Sequence, residues 1–363
     1  MTEEVLVAVD EKAEYRSYTK RKVFLILALL AGVIILLGLS LMIGDRDISF
    51  FEAYRLLFMK ITGGEPVDTH EFLDLYIVAE VRLPMAVFAI IAGASLAVAG
   101  AAMQSVMNNP LADAYTTGIS SGASLGVAVS MVLGISLVTN TSVAQFGTIT
   151  NAFIFSLIPM MMILAVSSRM NTSPASLILA GIAVSYFLNA FTSLLMLVAD
   201  GQTMQAVYNW QIGSISAIGW TEVPFMATVS IAGMIFMILC ANKFNIMTMG
   251  ESSAKALGLD IESFRLISMI IISLMVASVI SFTGIIGFVG LVCPHMIRSV
   301  IHSDNRYVMP ASAMLGAVMM LSCQLVTVAI SPDTLSIPVG VILSFVGAPI
   351  FLYLIVRRNS NVW

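Results

Sequence analysis

Eight windows of this chain contain no Asp, Glu, Lys or Arg: residues 23–44, 85–112, 114–168, 170–199, 223–242, 266–297, 307–332 and 334–356. Roughly 20 apolar residues in a helix cross the hydrocarbon core of a bilayer. Two windows, 114–168 and 266–297, are long enough to fold back, so the set holds about ten crossings. A water-soluble domain is excluded: 10% of the 363 residues are charged and 59% are hydrophobic, where soluble domains carry about 25% charged residues. A transmembrane β-barrel would alternate apolar and polar residues over short segments, and these runs do not. The pattern predicts an all-α integral membrane protein. Its spans fall near 23–43, 85–107, 114–136, 150–168, 175–199, 223–241, 265–282, 285–302, 308–330 and 338–356.

The first run follows Lys20-Arg21-Lys22 but lies behind a 22-residue polar tail and has no small-residue cleavage pattern at its end. It reads as a span rather than a signal peptide. With ten spans and both termini in the cytoplasm, the inner segments carry thirteen of the Lys and Arg residues, Arg298 among them, and the outer segments four. That asymmetry is what the positive-inside rule demands. Residues 1–22 form a mobile or interfacial cytoplasmic tail and 23–358 one ten-span domain, with 44–82 as its longest outer segment and 242–264 as its longest inner loop. Within the outer segment, "ISFFEAYRLLFMKI" has helical apolar spacing and is expected to lie flat on the membrane.

The residues that carry catalysis elsewhere are missing. There is no GxxxxGK[ST] loop for nucleotide phosphates and no HExxH. Cys293 and His295 make at most half a metal site, and Cys240, Cys293 and Cys323 all sit in apolar runs as small buried side chains. Proton- or sodium-coupled carriers keep ionisable residues inside the bundle; here Asp200, at a helix end, comes nearest. No catalytic residue, metal or cofactor is assigned to the chain, nothing points to nucleic acid, and the energy for any transport is expected from another subunit.

Three stretches stand out. In "AGASLAVAGAA", Gly93, Ala97 and Gly100-Ala101 line one helix face at spacings suited to close packing. In "SFTGIIGFVG", Gly284, Gly287 and Gly290 fit either a broken, re-entrant element beside a pathway or tight packing through small residues. In "QSVMNNPLAD", Pro110 biases Asn109 away from the helical region, Asn108 and Asn109 can bond free carbonyls, and Asp113 can cap the next helix. The inner loop "NKFNIMTMGESSAKALGLDIESFRLI" holds a short helix: Gly250 ends one element, Glu251 favours the N-terminal dipole, and Gly258 stops the helix. Its apolar residues fit a knob that docks into a partner, or a capped interfacial turn.

This loop resembles the coupling loop of the FecCD-type permeases, which belong to ABC importers for iron-siderophore, haem and cobalamin; Gly250, Glu251, Ser253, Ala254, Leu257 and Gly258 match the pattern, with Ser253 where Ala is common. The resemblance continues through "RLPMAVFAIIAGASLAVAGAAMQSVMNNPLADAYTTGISSGASLG" at 82–126, "GIIGFVGLVCPHMIRSVIHSDNRYVMP" at 284–310 and "IPVGVILSFVGAPIFLYLIVRR" at 337–358. It implies the type II ABC importer permease fold and a multi-pass protein of the cell membrane. The implied partners are a second permease chain in a homodimer, two cytoplasmic ATPase subunits that bind ATP and Mg, and an extracytoplasmic solute-binding protein that delivers a metal chelate. It implies that Glu251, Ala254, Leu257 and Gly258 touch the ATPase. It also implies that Arg82 docks the binding protein, and that Gln104, Asn108, Asn109, Pro110 and Asp113 belong to the inner mouth of a pathway. Met85 stands where the family commonly has Arg, residues 324–337 contain no basic residue, and Ser336 replaces a common acid. The rival readings are a stand-alone secondary transporter of a small amphipathic solute, which needs a membrane-embedded acid or base pair, and a membrane enzyme, which needs clustered polar groups.

Overall fold

The computed structural model describes residues 3–44, 46, 48–137, 144–167, 174–216, 218–330 and 337–356, and every element among them is helical. In chain order these are α1 (Glu3–Met42), α2 (Phe50–Thr62), α3 (Thr69–Tyr76), a π-helical turn (Ile77–Arg82), α4 (Leu83–Val106), a 3-10 turn (Ala114–Thr117), α5 (Ile119–Leu133), α6 (Ala144–Ser167), α7 (Pro174–Leu197) and α8 (Gly201–Ile212). There follow α9 (Val223–Leu239), α10 (Ala241–Thr248), α11 (Glu251–Ala256), α12 (Ile261–Thr283), α13 (Val289–Ile301), α14 (Asn305–Ile330) and α15 (Val339–Val356).

Each predicted apolar segment coincides with a helix. Six helices are long and apolar enough to cross a membrane, and α9 with α10 forms a seventh candidate bent by 59°. The other three segments are the shorter apolar helices α5, α13 and α15. Two boundaries differ from expectation. The polar stretch ahead of the first span is helical from Glu3 and continuous with that span. The helix that carries the second span begins well before it: α3, the π turn and α4 form one unbroken helix over Thr69–Val106, because nothing between 69 and 84 breaks it and Pro84 sits in the first turn of α4, where a missing N–H is harmless.

That helix is the axis of the fold. Most of its apolar window is buried inside the protein (78%), whereas α1 turns nearly all of its window outward (17%). Close approach of backbones makes this possible. Gly93 lies against the Gly316 backbone of α14 and Gly100 against Gly290 of α13, with no room for a Cβ at either position. Lipid tails are as apolar as leucine, so such contacts, rather than water exclusion, hold membrane helices together. The small-residue face of "AGASLAVAGAA" is thus a packing face shared between two neighbours.

The outer segment builds a second, smaller core from Leu41, Ile48, Ala53, Leu56 and Val78. Ser49 caps α2 at Glu52 N–H, and Gly63, with φ 71°, ends it. The apolar spacing of α2 therefore serves two surfaces. Ala53 and Leu56 are buried against the protein, while Phe51, Phe58 and Ile61 remain exposed.

Candidate functional site

The inner loop folds as two short helices, α10 and α11, between α9 and α12. Gly250 takes φ 96° and Gly258 φ 79°, conformations that glycine adopts without penalty, and they bracket α11. Asp260 caps α12 through Ser263 N–H, at 3.2 Å. Leu257 is 60% exposed and Met249 64% exposed, at the two ends of α11. Glu251 receives a 2.6 Å hydrogen bond from the buried Arg265 Nη2. Ala254 is fully buried, so its methyl packs under α11. Ser253 stays exposed.

The segment "QSVMNNPLAD" is not a simple surface turn. The carbonyls of Gln104 and Ser105 are met by the backbone N–H groups of Asn109 (3.0 Å) and Asn108 (3.3 Å), not by amide side chains. Asn108 adopts φ 45° and is exposed. Asn109 Oδ1 accepts from Leu111 N–H at 2.9 Å, closing an Asx turn. Pro110 is buried. The chain then folds back along α4, so that the Asp113 carboxylate stands beside Gly290, which also abuts Gly100. Gly100 lies six residues above the end of α4 at Val106, about 9 Å at 1.5 Å per residue. Asp113 is buried and caps the 3-10 turn through Ala114 N–H at 2.7 Å. Gln104, fully buried, donates to Leu291 O at 3.5 Å.

The break between α12 and α13 meets this re-entrant limb. Tyr115 Oη donates to Ile286 O at 2.9 Å, Ser214 N–H to Thr283 O at 2.7 Å, and Gly340 N–H to Gly213 O at 3.0 Å. Irregular backbone at membrane depth must find its partners within the protein, and here it does. The three glycines of the run differ in their surroundings. Gly284, with φ 74°, belongs to the irregular backbone; Gly290 is a packing glycine; Gly287 faces open space.

Arg82 is 7% exposed. Its Nη1 donates to Leu41 O (2.7 Å) and Met42 O (2.9 Å), and its Nη2 to Arg46 O (3.0 Å). The last carbonyls of a helix lack intrahelical donors and carry partial negative charge, and this guanidinium caps α1 from outside. These bonds give Arg82 a structural role inside the fold. The other outer bases are paired too, Arg46 with Asp74, Arg55 with Glu52 and Glu71, and Lys60 with Glu80. Met85 lines an outer cavity of about 320 Å³ with Gln324 and Ser214. Ser336 lies outside the described residues, as do residues 331–335 of the stretch without bases.

Asp200 caps α8 through Gln202 and Thr203 N–H, at 2.9 and 3.0 Å, which accounts for an acid at that helix end. Cys293 Sγ approaches Met319 Sδ at 3.7 Å, and no group of three potential metal ligands occurs among the described residues. Sequence reasoning placed Arg298 among the cytoplasmic bases, yet it is 1% exposed. It also passed over Asn245 and Asn305, neutral amides that carry no motif.

The FecCD transport family model matches residues 30–357. The chain belongs to this family. An ABC transporter permease protein of Methanocaldococcus jannaschii is 35% identical over 98% of the chain and 100% of its own length. The cobalamin import system permease of Halobacterium salinarum is 34% identical over 78% of the chain and 74% of its own length. A solved structure described as an inward-facing conformation of a metal-chelate type ABC transporter superposes with a TM-score of 0.80 at 24% identity, covering 92% of this chain and 99% of that one; it shows the same fold. This FecCD protein is thus a multi-pass cell-membrane permease of the ABC importer class, a class whose members work with an ATPase and a binding protein.

Proposed function

We propose that this chain is the translocating subunit of an ATP-driven importer for a metal chelate: an iron-siderophore, haem or a corrinoid. All ten apolar helices cross the membrane with both termini inside, and two copies enclose one pathway. Two cytoplasmic ATPase subunits, holding ATP and Mg, seat the loop formed by α10 and α11. An extracytoplasmic binding protein delivers the cargo. The re-entrant limb at Gln104, Asn108, Asn109, Pro110 and Asp113 forms the inner mouth.

The observation that carries this reading is the shape of the inner loop. Leu257 and Met249, 60% and 64% exposed, flank a capped helix that projects between spans. Glycines on either side set that projection. A large apolar side chain held out by a rigid, hydrogen-bonded turn is the form of an anchor residue for a partner's groove. Glu251 serves the turn itself through Arg265, so Leu257→Asp is the cleaner probe, while Glu251→Arg would break the knob. Copurification of the tagged permease with its ATPase is expected to fall at least tenfold in Leu257→Asp, the size of a loss of about 1.4 kcal/mol at a hot spot. Thermal stability should stay unchanged. Undiminished ATPase recovery and undiminished uptake in that variant would refute the reading.

A further inference from the structure

Taking the coupling-loop reading as given, we propose that Asn245, Asn305, Arg298 and Ser105 form a positioning relay. It carries displacement of the coupling helices to the inner end of α4 and the re-entrant limb behind it.

The relay begins on α10, the first helix of the coupling loop. Asn245 makes two bonds to consecutive residues at the head of α14. Its Nδ2 donates to Asp304 Oδ1 at 2.9 Å and its Oδ1 accepts from Asn305 N–H at 2.8 Å. A helix start has N–H groups with no partner of their own, and here one is capped from another helix, so α10 and the start of α14 are bound as one piece. Asp304 is further held by Arg306 at 2.7 Å and faces Lys22 of α1 at 3.9 Å. Lys22 in turn lies over the Tyr307 ring, 4.6 Å from its centroid.

From Asn305 the contacts turn inward. Its Oδ1 accepts from Arg298 Nη2 at 3.2 Å and from Ser105 Oγ at 3.3 Å. Arg298 Nη2 also reaches Ala101 O at 3.2 Å and Ser105 Oγ at 3.3 Å. Arg298, Asn305 and Ser105 are all buried, at 1%, 0% and 0% exposure. A buried charge held by such contacts resists sliding past them, because a displacement that breaks them costs it hydrogen bonds that water cannot replace there. Ser105 lies within "QSVMNNPLAD", one residue before the end of α4 at Val106. Movement of α10 therefore reaches the limb through four side chains and no flexible loop.

The junction also holds buried polar atoms that the relay does not use. Asn305 Nδ2 and Gln104 Oε1 are buried without partners among the described residues.

The test uses the complete transporter reconstituted in liposomes, in a background with Cys240, Cys293 and Cys323 replaced. Leu111→Cys reports on the exposed tip of the limb, since Leu111 is 44% exposed. The rate of maleimide labelling is compared between the nucleotide-free and vanadate-trapped states. With the relay intact the two rates should differ, and Asn245→Ala and Ser105→Ala should each shrink that ratio by about fivefold, within the range that coupling networks carry. ATPase copurification and basal hydrolysis should remain in Ser105→Ala, which lies outside the coupling loop. A ratio of one with the relay intact, or an unchanged ratio in the variants alongside a lowered melting temperature, overturns the proposal and leaves only a structural role. Should Asn245→Ala fail to fold, Ser105→Ala, which removes one hydroxyl, decides alone. Absence of the ATPase from the intact complex would instead remove the coupling-loop reading, and the proposal with it.

Discussion

Replacing Arg82 should loosen the outer end of α1 rather than weaken docking of a binding protein. The guanidinium makes three hydrogen bonds to backbone carbonyls, those of Leu41, Met42 and Arg46. A net contribution of about 1 kcal/mol per bond puts the cost of Arg82→Ala near 3 kcal/mol. Arg82→Lys keeps a positive charge at the end of a helix, worth about 0.3–1 kcal/mol, but loses the planar fork, so it should recover less than half of that cost. Gly44 supplies an internal control. A Cβ there would lie 2.5 Å from Arg82 Nη2 and 2.9 Å from Cζ, and such overpacking costs about 1–3 kcal/mol. In the Arg82→Ala background the steric obstacle is gone, so Gly44→Ala should cost less there and keep only the strain of placing a side chain at its φ of 155°. The double-mutant cycle should then show a coupling of about 1–3 kcal/mol. Unfolding of the purified permease followed by tryptophan fluorescence in detergent gives the four stabilities, and binding-protein capture is measured in parallel. Equal stability of Arg82→Ala and the unmodified protein, with lost capture, would refute the capping account and restore a docking role.

Two other predictions concern packing and titration. Gly100→Leu forces α4 off α13 and should destabilise the protein by about 1–3 kcal/mol, whereas Gly287→Ala, which meets nothing within 4 Å, should leave the melting curve in place. Burial raises the Asp304 carboxyl, but hydrogen bonds from Arg306 and Asn245 outweigh it and hold the group below its ordinary 3.8. A depressed carboxylate contributes stability above its unfolded value that is lost as pH falls through the folded one. Acid should therefore destabilise the protein in that window, and Asp304→Asn should flatten the dependence in a melting series between neutral and acid pH.

The spans were legible because charge is intolerable in lipid, and its absence marks them without reference to any partner. Gly93 and Gly100 were legible as packing residues because helical spacing alone puts them on one face. Their partners were not, since Gly316 and Gly290 arrive from helices far along the chain. The burial of two cations was not legible for a shared reason. Arg82 and Arg298 sit at the edges of apolar windows, where a basic residue ordinarily faces water. Each is instead buried on carbonyls about 40 or 200 residues distant. Asn245 carries no signal at all, because an amide in a polar loop looks the same whether it caps a neighbouring helix or meets solvent.

The central position of α4 has a consequence for biogenesis. Ala101 and the Arg298 that bonds it are 197 residues apart, and at about 5–20 residues per second the ribosome needs roughly 10–40 s to make the second after the first. For that interval the small-residue face of α4, with the Gln104 amide and Ser105 hydroxyl beside it, has none of its final neighbours. A helix built to sit at the middle of the bundle is among the first to enter the bilayer, and it must be held there by lipid or the insertion machinery until the last third of the chain arrives.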